Sequence, residues 1–223
     1  MKKILLLILC AASALGLSAQ LCKWSRTFRY AEYNKNLTKA PDAVFMGNSI
    51  TDFWYRDVPE FFEENNYAGR GISGQTTDHM LVRFRQDVIN LHPKAVVILA
   101  GINDIAENNG PVTDEYILNN IISMCELAAA NGITPVLCSI CPSDYFKWRK
   151  ELKPAERVVR VNGLIKEYAD KMNYEYVDYH SVMSDENGAM KPGLSKDHCH
   201  PTVEGYSLMI PEVQKALGKV LGK

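Results

Sequence analysis

Ser49 lies where a short apolar run, residues 43–46, meets Gly47 and a small polar cluster. A short, bounded apolar run is typical of a buried strand, and the glycine allows a sharp turn after it. A serine at such a strand-to-helix turn has an exposed hydroxyl on a rigid backbone, so Ser49 is a candidate nucleophile. The same pattern also describes an ordinary helix N-cap, so the interpretation needs a base, an orienting acid and an oxyanion hole elsewhere in the chain.

His200 is the strongest candidate for the base among the five histidines of the chain. It precedes Pro201 and follows Asp197 by three residues, a spacing at which a loop carboxylate can fold back onto the imidazole. Such a contact fixes the tautomer of the ring and stabilises the imidazolium that forms on proton uptake. Asp-x-x-His is common by chance, but a place in the loop before the C-terminal helix makes it more specific.

An oxyanion hole needs hydrogen-bond donors aimed at the point where negative charge develops. Gly74 can offer an unobstructed backbone N–H, Asn103 a side-chain amide, and Ser49 its own backbone N–H. A flexible loop would also explain Gly74, and a turn after a strand would also explain Asn103.

Strand and helix patterns alternate five times along the chain, which predicts a doubly wound α/β sheet with mainly parallel strands. The unbroken apolar run at residues 95–100 predicts a strand buried on both faces. Ligands of such sheets gather at the carboxyl ends of the strands, where Ser49, Gly74, Asn103 and an aromatic loop at residues 141–148 all follow. The predicted strands cover residues 42–46, 67–69, 95–100, 134–140 and 174–178.

The last helix is predicted to begin at Pro201, since proline suits the first helical position, with His200 at or beside the N-cap. Pro211 is predicted to kink or interrupt that helix. Further helices are predicted over residues 50–65, 113–130 and 154–172.

Four segments together resemble the four motif blocks of the SGNH hydrolases, also called the GDSL esterase/lipase superfamily. They occur in the family's order and lie within residues 42–206, nearly the whole chain after its first 19 residues. The four segments are Gly47-Asn48-Ser49-Ile50-Thr51, Gly71-Ile72-Ser73-Gly74, Gly101-Ile102-Asn103-Asp104 and Asp197-x-x-His200-Pro201.

The resemblance implies a three-layer α/β/α sandwich with a flavodoxin-like, five-stranded sheet, and a serine esterase that needs no cofactor or metal. It implies that Ser49 is the nucleophile, His200 the general base and Asp197 the acid that orients it. Ser49, Gly74 and Asn103 would then form the oxyanion hole. Two positions depart from the pattern: Asn48 replaces the aspartate of the name-giving motif, and His198-Cys199 replace the more usual Gly-Val.

The substrate is expected to be a small molecule or oligosaccharide that carries a short acyl ester, with O-acetyl groups on carbohydrate favoured. Trp54, Tyr145 and Trp148 are candidates for stacking on sugar faces, although aromatic residues near a rim can equally cover the core. A lipid-directed acylhydrolase of the lysophospholipase type and a non-catalytic carbohydrate-binding protein with the same fold are the alternatives. The sequence does not predict the oligomeric state.

The formal net charge of −1 gives no electrostatic footprint for nucleic acid. Cys138 and Cys141 have the spacing of a redox pair, which leaves a thiol redox protein as a further alternative. They end an apolar run without a second pair nearby, so buried structural cysteines are favoured.

The N-terminus has the pattern of a secretory signal peptide over residues 1–19, which predicts a periplasmic or secreted protein with one domain over residues 20–223. A basic start at Lys2 and Lys3 is followed by an apolar stretch that is too short for a comfortable membrane span. No stable membrane insertion is expected after cleavage, and a retained anchor is the alternative. Neither Cys10 nor Cys22 follows the small residues of a lipoprotein signal, so lipidation is not predicted.

Overall fold

The computed structural model describes residues 26–223. The short helix α1 (Ala31–Lys35) belongs to a unit that ends at Thr38, and Lys39–Lys223 form a second unit that holds every candidate site residue. The predicted signal peptide and Cys22 lie outside the described residues.

Lys39–Lys223 contain a sheet of five parallel strands in the order β2-β1-β3-β4-β5. This arrangement confirms the predicted doubly wound α/β class, and all strand pairs are parallel. Every residue of β1 and β3 is buried, as expected where helices cover both faces of a parallel sheet. The strands are β1 (Ala43–Gly47), β2 (Tyr67–Gly71), β3 (Ala95–Leu99), β4 (Thr134–Cys138) and β5 (Glu175–Val177).

The helices that accompany the sheet differ from the predicted ones at two places. The helix predicted over residues 50–65 is two helices, because Val58 leaves the helical conformation and Pro59 starts a new helix. The helices are α2 (Ser49–Asp57), α3 (Pro59–Glu63), α4 (Thr77–Asp87), α5 (Ile102–Ile105), α6 (Asp114–Ala129), α7 (Ala155–Met172), α8 (Tyr179–Met183) and α9 (Val203–Leu221).

The last helix, α9, begins two residues later than predicted, with Thr202 as its N-cap. The Thr202 hydroxyl accepts the Gly205 N–H at 3.2 Å, which serves the free N–H groups of the first turn better than Pro201 could. His200 therefore lies in the preceding loop. The helix continues through Pro211, so Pro211 does not interrupt it, and the kink at this position stays a prediction.

The chain places β2 on one side of β1 and then β3, β4 and β5 on the other side. Such a change of direction, here between β1 and β3, opens a crevice at the carboxyl ends of the strands. Gly47 at the end of β1 is in register with Gly71 of β2 and Leu99 of β3. The segments that carry Ser49, Gly74 and Asn103 therefore leave the sheet at one level, beside one another.

Trp54 belongs to the core, so its predicted contact with substrate is wrong. Its side chain is only 1% exposed and stacks on Phe61 and Tyr206, with ring centroids 5.1 Å and 5.3 Å away. Successive residues of a helix lie about 100° apart, so a buried Trp54 leaves its neighbour Phe53 on a different face of α2.

Candidate active site

A continuous chain of hydrogen bonds joins the three residues predicted to form a triad. Ser49 Oγ lies 2.9 Å from His200 Nε2, and His200 Nδ1 lies 2.7 Å from Asp197 Oδ2. Ser49 and His200 are 151 positions apart in the sequence, so the fold alone brings them together. This geometry suits proton transfer from the hydroxyl to the imidazole, with the carboxylate holding the ring in place.

The turn that contains Asp197 holds its carboxylate in the charged form. Burial by itself would raise the pKa of Asp197. The backbone N–H of His200, the His200 ring and the Cys199 N–H act against burial, and the pKa of Asp197 is lowered overall. The two backbone N–H groups donate to Asp197 Oδ1 at 2.8 Å and 3.1 Å, leaving Oδ2 for the imidazole.

His198 adopts the left-handed conformation in the middle of this turn, with φ +69°. That conformation favours glycine, which explains why the family pattern more usually has glycine at this position. The His198 side chain reaches the aromatic loop, where its Nδ1 lies 3.0 Å from Asp144 Oδ1 and its ring lies edge-on to Tyr145 at 5.7 Å.

Ser49 is the first residue of α2, and the preceding Asn48 caps the helix. Asn48 Oδ1 accepts the Ile50 N–H at 3.0 Å. Because the carbonyl oxygen makes this contact, an aspartate could make it equally well, which accounts for asparagine at this position. Gly47 leaves space for the turn, since a Cβ there would lie 2.1 Å from Thr51 Oγ1.

The three predicted oxyanion donors lie on segments that leave neighbouring strand ends. The Ser49 N–H has no acceptor within its own helix, because the first N–H groups of a helix have none. Gly74 has φ +84°, a conformation that side chains disfavour. Asn103 is 3% exposed, and its Nδ2 donates to the Gln75 carbonyl at 2.9 Å, which leaves its second N–H free to serve a ligand.

Arg83, on α4, was not predicted from the sequence, although it fastens the turns around the nucleophile. It is fully buried, and its Nη2 donates to the carbonyl oxygens of Gly47 and Arg70, both at 2.9 Å. Its Nε donates to Gln75 Oε1 at 2.6 Å, and Asp87 balances its charge at 3.0 Å. The sequence signal that could have indicated a buried Arg83 is its position beside apolar residues of the helix such as Phe84.

Asp104 follows Asn103 in α5 and fixes that short helix to the start of α4. Its carboxylate accepts the Thr77 N–H at 3.0 Å and the Thr77 hydroxyl at 2.6 Å. Burial raises the pKa of Asp104 to about 7 despite these hydrogen bonds, and the nearby charge of Asp78 adds to the rise.

Two aromatic rings lie close to the His200 ring. The centroid of Phe53 is 5.0 Å from that of the His200 ring, and the centroid of Trp148 is 6.2 Å away. Trp148 is 42% exposed, and Tyr145 is half-buried. The structure therefore places two of the three predicted aromatic residues, Tyr145 and Trp148, near the triad.

A cavity of about 300 Å³ opens beside His200 and Asp197. Phe53 forms part of its wall, and the Arg56 guanidinium lies 4.3 Å from the centroid of that ring. Arg56, Asp57, Lys196 and Thr202 give the cavity a polar and charged lining. This mixture suits a ligand that has both hydroxyl groups and an apolar ring face.

The cysteines that the structure describes are unpaired and buried: Cys125, Cys138, Cys141 and Cys199. Burial raises the pKa of the Cys138 thiol to about 12 and raises that of Cys141 as well. Because the thiolate is the reactive form, these positions do not favour redox chemistry.

Within residues 26–223, no group of three or more His, Cys, Asp or Glu side chains is placed to hold a metal ion. None of the helices in that range has the length and apolar character needed to cross a membrane.

Comparison with known proteins gives three informative relatives. A solved structure of a GDSL-like lipase from Bacteroides thetaiotaomicron VPI-5482 superposes with a TM-score of 0.85 at 45% identity, covering 87% of this chain and 98% of that one. An acetylxylan esterase from Geobacillus stearothermophilus is 25% identical over 163 residues, which are 68% of this chain and 71% of the relative. YqeF of Bacillus subtilis (strain 168), an uncharacterized lipoprotein, is 30% identical over 118 residues, 45% of this chain. The match covers 49% of the length of YqeF, so this chain spans about half of that relative.

Residues 45–208 match the model of the GDSL-like lipase/acylhydrolase family, a range that contains all five residues predicted for the triad and the oxyanion hole. The chain therefore belongs to this family. It is a carboxylic ester hydrolase.

Proposed function

We propose that the protein is an exported serine esterase that removes short acyl groups, acetyl above all, from the hydroxyl groups of a carbohydrate. The observation that carries the proposal is the hydrogen-bonded row Ser49–His200–Asp197 at the mouth of the sheet. A binding protein without catalytic activity would have no need for a carboxylate that stabilises a charged imidazole behind a serine.

The proposed reaction has two acyl-transfer steps. Ser49 Oγ attacks the ester carbonyl while His200 Nε2 accepts its proton, and the oxyanion is bound by the N–H groups of Ser49 and Gly74 and by the Asn103 amide. The alcohol leaves with the proton held by His200. Water, activated by the same imidazole, then hydrolyses the acyl-Ser49 intermediate.

The carbohydrate part of the proposal draws support from the cavity beside His200. His200, which must protonate the leaving alcohol, forms part of the lining of this cavity. The polar side chains Arg56 and Lys196 can bind sugar hydroxyls, and Phe53 can pack on a ring face. The relative named as an acetylxylan esterase is consistent with that class of substrate.

Export is part of the proposal because of the signal-peptide pattern at residues 1–19. Detection of the full chain in the cytoplasm, with Lys2 and Lys3 retained, would contradict it.

A panel of p-nitrophenyl esters of increasing acyl length, assayed beside acetylated oligosaccharides, tests the proposed substrate. We expect the highest kcat/KM for acetyl esters and release of acetate from the oligosaccharides. Preference for long acyl chains would overturn the carbohydrate proposal in favour of a lipid-directed esterase.

Asn103→Ala tests the proposed oxyanion hole with the same substrates. Loss of one such donor is expected to lower kcat by about 10²–10³, because the amide binds charge that exists only in the transition state. Circular dichroism should show that the variant remains folded. Near-wild-type turnover by the folded variant would remove Asn103 from the mechanism.

A further inference from the structure

A row of hydrogen bonds leads from the open rim of the site to the proposed oxyanion donor. The Trp148 indole N–H donates to Asn108 Oδ1 at 2.9 Å, and Asn108 Nδ2 donates to Asn103 Oδ1 at 2.8 Å. Asn103 Nδ2 in turn donates to the Gln75 carbonyl at 2.9 Å. Each amide accepts from its outer neighbour and donates to its inner one.

The outer end of this row fixes the direction of every bond in it. An indole N–H can only donate, so Asn108 must present its oxygen to Trp148. The NH₂ group of Asn108 must then face Asn103, which presents its own oxygen in return. The NH₂ group of Asn103 is left on the side of Gln75, with one N–H still available.

The loop after α5 is shaped so that Asn108 returns to Asn103. Glu107 and Gly110 both have positive φ angles, +54° and +91°. The Asn108 backbone N–H donates to the Asn103 carbonyl at 3.0 Å, so backbone and side chain both contact the same residue. The Arg149 guanidinium donates to the Glu107 carbonyl at 2.9 Å, which joins this loop to the residue that directly follows the aromatic loop.

We propose that Asn108 is a positioning residue that holds the amide of Asn103 in the orientation needed for oxyanion binding and couples it to Trp148 at the rim. The assignment rests on the function proposed above. If the side-chain amide of Asn103 flipped so that its oxygen and NH₂ group exchanged places, the oxygen would face the developing oxyanion and repel it. Asn108 opposes that rotation because Asn103 would lose the bonds to both Asn108 and Gln75.

Two substitutions separate the inner bond of the row from the outer one. Asn108→Asp keeps an oxygen that can accept the Trp148 N–H but cannot donate to Asn103 Oδ1, and it places a negative charge near the oxyanion. Trp148→Phe keeps an aromatic ring at the rim and removes the indole N–H together with part of the ring surface. Asn108→Ala removes both bonds, although water can replace part of the inner one because Asn108 is exposed.

The kinetic test uses p-nitrophenyl acetate, with kcat and KM measured for each variant. Asn108→Ala should lower kcat roughly ten-fold with KM little changed, the loss expected for one hydrogen bond made effective in the transition state. Asn108→Asp should lower kcat further, and Trp148→Phe should lower it less. Asn109→Ala is the matched control, because it removes a bond to Asp78 from the same loop and should keep wild-type kcat.

A double variant shows whether Asn108 acts through Asn103. In the Asn103→Ala background, adding Asn108→Ala should change kcat by less than about two-fold, since the amide to be oriented is gone. Full additivity, or wild-type kcat in both Asn108 variants, would overturn the assignment. If the wild-type protein hydrolyses no ester at all, the proposed function fails as well. An active wild type that is sensitive to Asn103→Ala but insensitive to Asn108→Asp refutes only the role of Asn108.

Discussion

In the proposed mechanism, Asp197 assists proton transfer from Ser49 to His200, because its carboxylate is the partner of the imidazolium that forms. The two backbone N–H groups on Oδ1 leave Oδ2 aimed at His200 Nδ1. The lowered pKa of Asp197 means that this partner stays charged at neutral pH. At the scale of single residues, the proposed mechanism therefore depends on the charge of the Asp197 carboxylate and on the position of its Oδ2 atom.

Asp197→Asn should retain the fold and lose most of the activity. The amide oxygen of asparagine can still accept the N–H groups of Cys199 and His200, whereas its NH₂ group would favour the wrong tautomer of the ring. The expected loss in kcat is about 10³–10⁴, measured with p-nitrophenyl acetate on a protein of unchanged circular dichroism.

Ser195→Ala provides a control in the same turn. The hydrogen bond from Ser195 Oγ to Asp197 Oδ1 is long, at 3.3 Å. Ser195 is not a hydrogen-bond partner of the His200 ring, so a small effect on activity is expected. Comparable losses in the two variants would mean that Asp197 acts on loop structure rather than on the imidazole.

At the scale of elements, α4 acts as a clamp on the turns that end β1 and β2. Arg83 reaches from this helix to the carbonyl oxygens of Gly47 and Arg70, and its charge is balanced within the helix by Asp87. Burying a charged guanidinium costs desolvation free energy even when its donors are hydrogen-bonded. In this position Arg83 holds the backbone beside Ser49 in a fixed place relative to the loop that leads to Gly74.

Arg83→Met should destabilise the protein by about 3–5 kcal/mol, because it removes the Arg83 ion pair from the buried Asp87 carboxylate. Urea denaturation provides the free energy of unfolding. Adding Asp87→Leu to Arg83→Met should recover part of the loss, since the remaining buried negative charge is removed as well. A double variant as unstable as the sum of both single variants would show that the ion pair is not the source of the effect.

At the scale of the whole molecule, stability should depend on pH through Asp104, which joins α5 to α4. Its pKa rises from about 4 in an unfolded chain to about 7 in the folded protein. Between these values the folded state binds more protons than the unfolded state. The free energy of unfolding therefore falls as pH rises through this window and levels off above it.

Asp104→Asn should remove this part of the pH dependence, because asparagine does not titrate. Denaturation curves of both proteins between about pH 5 and pH 8 provide the comparison. The stability of the variant relative to wild type should grow with pH up to about 7 and then stay constant. A difference that is the same at every pH would contradict the raised pKa.

The parts of the fold and site that the sequence predicts are those encoded by local patterns. Buried runs locate β1 and β3 within a residue or two, and the strand alternation predicts the parallel sheet. Ser49, Gly74 and Asn103 follow strand ends, so the topology of the sheet places them together. Asp197 and His200 are three residues apart, and their contact follows from the turn between them.

The parts that the sequence does not predict depend on contacts across long stretches of chain or on which way a helix faces. Trp54 was mistaken for a rim residue because a difference of one position on α2 separates the core from the site. Asn108 meets Trp148 across 40 positions, and Arg83 meets Gly47 across 36, with no periodic pattern to indicate either pairing.

The central claim is that Ser49 is the nucleophile of a covalent mechanism, and a serine-directed p-nitrophenyl phosphonate tests it most directly. Intact-mass and peptide analysis of the treated protein should find one phosphonyl group, on Ser49, with ester hydrolysis lost in proportion to labelling. The Ser49→Ala variant should take up no label and hydrolyse no ester. Labelling at another residue, or full activity after complete labelling of Ser49, would contradict the account.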